Sequence, residues 1–362
     1  MLTIACRAGS PPAWTPVATL KKLPEDSGSY FRDQNAARFA AHVFQPALEA
    51  ILHDNPEFEL NDLDIFACIS TLRNLLRFVT DPDQGFRMIV EAIGATVFLV
   101  RREASPTEKS LAFLDVKGSE SHQRILKYNF AGISCAIRYE GDGYLPNLHR
   151  PDTSHVEDPA GDADDLLKPL QHSSVGSVAA EKVAVLAVET AGTAIPQSAM
   201  FDLKTRSARK EYTDVLRGEL PRLWFAQVPN FIVGFYNRGL FSDVRVKNVQ
   251  QEVEEWEEEQ KPQLKRLAAL LRALIAFARG QPSGRFELVF EGGNRELELR
   301  EVGGQANCCI SDELKTRWHG SKSEEAQLEI EKTLDEGGTS GVGEDWDEEE
   351  ARMSCGWSDD SV

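Results

Sequence analysis

Apolar residues recur every second position in some stretches of this chain and every third or fourth in others, and the change of period divides it into elements. RFAAHVFQPALEAIL has helical spacing, with a proline placed to end or kink the helix. LDIFACISTLRNLLRFVT repeats apolar residues at three and four and predicts an amphipathic helix. FRMIVEAIGATVFLVRRE predicts a hairpin turning near Gly94, and SHQRILKYNFAGISCAIRYEGDGYL two strands around Ala131-Gly132. FDLKTRS reads as a further strand, followed by a helix in EYTDVLRGELPRLWFAQV. NFIVGFYNRGLFSDVRV predicts two strands around the turn Asn237-Arg238-Gly239. A long charged helix, QQEVEEWEEEQKPQLKRLAALLRALIAFA, and a hairpin in ELVFEGGNRELELREV complete the pattern. Strands interleaved with helices give a mixed α/β (α+β) class with mixed sheets and flanking helices.

The intervals between elements set the expected organisation. Residues 1–30 are punctuated by Pro and Gly and predict an irregular lead-in to a single domain over 31–320. Residues 146–177, rich in Pro, Asp and Ser, read as a mobile surface insertion. From Ser321 onward 14 acids face 3 bases, so of the net charge of −18 the first 320 residues carry only −7. Residues 321–362 therefore predict a disordered acidic tail, and the body is no broad nucleic-acid surface. Six scattered cysteines without a CxxC pair predict reduced thiols in an intracellular protein, nuclear or cytoplasmic. No apolar run approaches the length of a membrane span, and the first residues are too weakly apolar for a secretory signal.

Candidate chemistry centres on FDLKTRS. Residues two apart on a strand share a face, so Asp202 and Lys204 stand side by side on a segment the pattern buries. A buried charge needs a partner, and the plainest one is an ion pair between these two. Glu140 and Asp142, two apart where an apolar strand ends, offer a second reading: carboxylates converging with Asp202 repel unless a hard cation such as Mg²⁺ or Mn²⁺ relieves them. A metal held this way, with a lysine facing the phosphate, is a phosphodiester-cleaving arrangement. Lys204, Arg206, Arg209 and Lys210 in KTRSARK form a local basic patch suited to a phosphate backbone, or a solvated loop. Trp224 and Phe225 read as core or as a base-stacking pair. The histidines have no HxxxH or HExxH spacing, and P-loop, GxGxxG and GxSxG motifs do not occur.

The order E-x-D, then D-x-K, then a helix resembles the PD-(D/E)XK nuclease core. TLRNLLRFVT with FRMIVEAIGATVFLVRRE, SCAIRYEGDGYL, FDLKT and LPRLWFAQVPNFIVGFYNRGLFSDVRV together resemble, over residues 68–250, the DXO-type RNA decapping and 5′-to-3′ exonuclease family. That resemblance implies divalent metal on Glu140, Asp142 and Asp202, and Lys204 acting on the attacked phosphate. It also implies Gln227 at metal-bound water or substrate, and Arg73 at the RNA 5′ phosphate. The implied activity is hydrolysis at capped or monophosphorylated RNA 5′ ends; the alternative is a non-catalytic descendant that binds RNA or a partner such as a 5′-to-3′ exoribonuclease. A DNA substrate stays open, since nothing in the sequence reads a 2′-hydroxyl. The chain departs from the family twice. Asp202 stands for its glutamate, and the interval EASPTEKSLAFLDVKGSESHQ lacks its further metal-binding glutamate, leaving only Glu103, Glu108 or Glu120 as substitutes. The chain also resembles fungal proteins labelled geranylgeranyl pyrophosphate synthetases, but it has no DDxxD motif to support that activity.

Overall fold

The computed structural model describes residues 2–5, 10–16, 22, 30–31, 42–102, 109–110, 122–149, 188, 192–293, 296–302 and 308–318. In chain order the strands are β1 (Leu2–Ala5), β2 (Tyr30–Phe31), β3 (Ile65–Cys68), β4 (Phe86–Ile93), β5 (Thr96–Arg101), β6 (Lys109–Ser110) and β7 (His122–Phe130). They continue as β8 (Ile133–Glu140), β9 (Gly143–Tyr144), β10 (Met200–Ser207), β11 (Asn230–Asn237), β12 (Leu240–Asn248), β13 (Arg285–Phe290) and β14 (Glu298–Arg300). The helices are α1 (Gln45–Asp54), α2 (Ile69–Thr80), α3 (Tyr212–Ala226) and α4 (Gln250–Gly280), with residues 312–318 also helical. An eight-stranded sheet has the order β1-β7-β8-β3-β5-β4-β13-β14, and a four-stranded sheet the order β12-β11-β10-β9. The class is mixed α+β, and no described helix is long and apolar enough to cross a membrane.

The period-2 alternation sorts side chains into separate cores. On β3 and β5, Ile65, Ala67, Val97 and Leu99 point into the main core, while Phe66 and Phe98 point to the opposite face. That main core also takes apolar side chains from α2, α3, α4 and the inner face of the small sheet, so the helices fill the space between the two sheets. The far face of the large sheet is covered by α1 and the 312–318 helix, with Phe44, Phe66, Phe98 and Trp318 as adjoining rings. Phe201 and Ile232 face outward from the small sheet with Leu145. Phe231, Val233 and Phe235 face inward. Asp202 pairs in register with Phe231, and Lys204 with Val233, so both charges lie on the helix-packed face.

Three expectations are corrected. Leu63–Thr80 is not one helix: Ile65–Cys68 is a central strand, parallel to both β5 and β8, and buried on both faces. A strand covered on both sides shows no polar alternation, so its apolar run merges with the helix that follows. Pro46 lies in the first turn of α1, where its missing N–H leaves no hydrogen bond unmade, so it starts the helix. Within the expected lead-in, Leu2–Ala5 is a strand, antiparallel to β7. The expected insertion from residue 150 to 177 and the tail over 321–362 lie outside the described residues.

Leu223 is fully buried where α3 meets the main core. Leu223→Ala is expected to cost about 2–5 kcal/mol, the usual loss of transfer energy plus a residual cavity, read as a lowered urea midpoint with unchanged slope.

Candidate phosphate-binding site

Backbone hydrogen bonds and two glycines carry Asp142 to Asp202. After β8 the Gly141 N–H donates to the His122 carbonyl at 2.8 Å. A Cβ at Gly141 would stand 2.7 Å from Met200 Cε, and one at Gly143 would stand 2.5 Å from the Pro12 carbonyl oxygen. At Gly143 the close approach is to backbone, which a side chain would block, whereas at Gly141 the flexible end of Met200 would have to shift. β9 then pairs with the first two residues of β10. Beyond that short pairing Asp142 continues the contact, its Oδ2 accepting the Leu203 N–H at 2.7 Å.

Asp202 is only 4% exposed, and both of its oxygens are engaged by cations. Lys204 Nζ donates to Oδ1 at 2.5 Å, and the Arg222 guanidinium from α3 pairs with Oδ2. Arg222 also donates to the Glu140 carbonyl at 3.2 Å, tying the end of β8 to β10. One step along the same face, Arg206 pairs with the buried Glu219 of α3 at 2.9 Å. Arg73 approaches from α2: burial lowers its pKa, Glu219 and Asp202 oppose that, and Arg222 adds repulsion. Arg73 has no hydrogen-bond or ion-pair partner among the described residues.

The carboxylates shape these equilibria. Burial disfavours charge on Asp142 and the neighbouring Asp202 adds repulsion, so its carboxyl is held above the ordinary range despite Lys204 and Arg222. Burial opposes the charge of Arg222, but Asp202, Asp142, Glu219 and Glu140 outweigh it and raise its pKa. Behind the site, Arg124 is fully buried and donates to the Ile195 carbonyl at 2.7 Å and to Met200 Sδ. Beside it His122 is held neutral, its pKa lowered to about 4 by burial and by Arg124.

The structure therefore brings together Asp142, Asp202, Lys204 and Arg73, with Arg206 adjoining. Glu140 is exposed at the end of β8; its backbone carbonyl accepts from Arg222, whose charge its carboxylate also favours. Gln227 closes α3 in the left-handed conformation, φ 48°, and its side chain is not a partner of Asp142, Asp202 or Lys204. Arg209 and Lys210 are exposed on the turn after β10. From Asp202 to the end of that strand is roughly 16 Å at strand rise, so they stand apart from the site. Trp224 and Phe225 are core, Trp224 packing on Phe130 and Trp256.

Among the described residues, the donor set does not fit a divalent metal. Among the described residues no three His, Cys, Asp or Glu side chains are grouped to hold one. The oxygens Asp202 would offer already carry Lys204 and Arg222. Glu103, Glu108 and Glu120 lie outside the described residues. Sequence reading missed Arg222 and Glu219. The signal for Glu219 is its place in the buried stripe Val215, Leu216, Leu220, Leu223, where an acid requires a counter-charge.

Residues 2–318 match the model of a family described as Domain of unknown function (DUF8563), and the chain belongs to that family. No curated protein matches it. Solved structures similar to it include Rai1 of Scheffersomyces stipitis, at 14% identity over 76% of this chain and 80% of that one, TM-score 0.49. Rai1 of Candida albicans in complex with pU5-Mn²⁺ is similar at 10% identity over 80% and 81%, TM-score 0.46. Dxo1 of K. lactis in complex with manganese is similar at 9% identity over 75% and 72%, TM-score 0.42. These likenesses all lie below a TM-score of 0.5.

His122 makes stability depend on pH. Its unfolded form takes up a proton near 6.5 and its folded form only near 4, so protonation in that window favours unfolding. Stability is expected to fall as pH drops through the window, by on the order of 3 kcal/mol. His122→Leu should flatten that part of the profile, measured by urea unfolding at neutral pH and at the acid end.

Proposed function

We propose that this DUF8563 protein holds the 5′-phosphorylated end of RNA on a nuclease-type core and does not cleave it. The observation that carries this reading is Arg73, a half-buried guanidinium beside Arg222 whose charge its surroundings disfavour and no described oxygen satisfies. A terminal phosphate seated there gains charge-assisted hydrogen bonds and offsets the repulsion between the two arginines. Lys204 and Arg222 line the floor, each already oriented by Asp202. The assignment to an RNA end comes from the resemblance of SCAIRYEGDGYL, FDLKT and LPRLWFAQV to the DXO-type family.

Hydrolysis asks more of the site. An attacking water needs a metal or a free base beside the phosphate. Here Asp202 is neutralised on both oxygens, and Asp142 is held by the Leu203 N–H and pushed toward its neutral form. These side chains suit binding and orienting a phosphate, and among the described residues none is placed to take a proton from water.

Fluorescence polarisation with 5′-monophosphate and 5′-hydroxyl forms of one short RNA, beside the matching DNA, tests this reading. The monophosphate is expected to bind about 10-fold tighter or better, and Arg73→Ala to remove most of that preference, as losing a charged hydrogen bond does. Equal affinity for the two ends would overturn the binding reading. Shortening of the RNA in Mn²⁺ or Mg²⁺ that Asp202→Asn abolishes would overturn the absence of cleavage.

A further inference from the structure

We infer that Arg222 is a built-in counter-cation standing where a divalent ion would otherwise bridge Asp142 and Asp202, and that removing it turns this acid pair into a metal site. The inference extends the reading of the site as non-hydrolytic. It does not depend on which nucleic acid, if any, Arg73 holds.

The geometry of Arg222 is that of a bridging ion. Its guanidinium reaches Asp202 on β10 with one nitrogen and the Glu140 carbonyl at the end of β8 with another, the latter at 3.2 Å. These are the two segments whose carboxylates would meet on a metal. The first turns of α3 pack in the main core through Val215 and Leu216, and Leu223 adjoins Arg222 at full burial, so the helix delivers this side chain from a fixed frame. A planar guanidinium satisfies one carboxylate and one carbonyl in fixed directions, as a hydrated ion does with looser ones.

Charge argues the same way. Asp142 lies in the fields of Asp202, Lys204 and Arg222, and Asp202, Asp142 and Glu140 all act on Arg222. Taking Arg222 away leaves Asp142, Asp202 and Glu140 against Lys204 and Arg73, so the cluster turns net negative. Asp202 Oδ2 would then lose its partner while remaining buried, a costly state that a cation relieves. Asp142 Oδ1 has no donor among the described residues. Lys204 cannot substitute for Arg222, because it already serves Oδ1 of Asp202 and stands 4.0 Å from Asp142.

Calorimetric titration of purified protein with Mn²⁺ tests this directly. The unaltered chain is expected to show no binding that depends on Asp202. Arg222→Gln should acquire one site, at least about 10-fold tighter than any background, and lose it when combined with Asp202→Asn. Because Arg222→Gln uncovers a buried acid, its melting temperature is expected to fall and to be raised again by Mn²⁺. That shift reads metal binding even where the variant is too unstable for titration. Arg222→Lys, which keeps a charge on α3, should acquire no such site. Mn²⁺ binding by the unaltered chain that Asp202→Asn removes would overturn the inference. So would an Arg222→Gln variant that neither binds nor is stabilised by Mn²⁺. Loss of RNA binding with these metal results intact would refute only the proposed ligand.

Discussion

A carboxylate 4% exposed on the helix-packed face of a sheet constrains everything around it. Left alone, Asp202 would carry a desolvation penalty of several kcal/mol. The fold supplies two cations, one two residues along its own strand and one from the crossing helix. Opposite charges about 4 Å apart near a protein surface attract by roughly 4 kcal/mol, which offsets the cost only when both oxygens are served. The position of α3 over β10 follows from that requirement together with the packing of Leu223 and Trp224.

The same constraint explains why the neighbouring groups come in opposed pairs. Glu219 falls in the apolar stripe of α3 and is matched by Arg206, the next residue but one on the same strand face after Lys204. Asp142 comes close because Gly141 and Gly143 let β8 turn against Met200, Phe201 and Pro12. Its charge is the least well compensated, and the direction of its titration reflects that. Arg73 is a further cation, brought by α2 from well upstream in the sequence and left without an oxygen among the described residues. The site is thus close to neutral on its floor, with one guanidinium available to an anion at its edge.

Much of this was legible from residue order. The alternation in FRMIVEAIGATVFLVRRE and NFIVGFYNRGLFSDVRV yields hairpins, and Arg238 and Gly239 take the positive φ values that such a turn requires. FDLKTRS forms the expected strand, with Asp202 and Lys204 on one face and paired to each other. The strand Ile65–Cys68 was not legible, because burial on both faces removes the polar positions that mark a strand. Arg222 was not legible as a partner of Asp202, since that contact depends on how α3 rotates against the sheet, and local spacing does not encode it. The fate of Glu140 turned on a similar detail, a strand end that offers its carbonyl and leaves its side chain outward.

The central claim is that Lys204 and Arg222 neutralise Asp202 from within the chain. A crystal structure of the unaltered protein grown in millimolar Mn²⁺, with data collected at the manganese absorption edge, tests it most directly. The account predicts Arg222 on Asp202 and the Glu140 carbonyl, with no anomalous peak between Asp142 and Asp202. A peak there, with Arg222 swung away from Asp202, would contradict it.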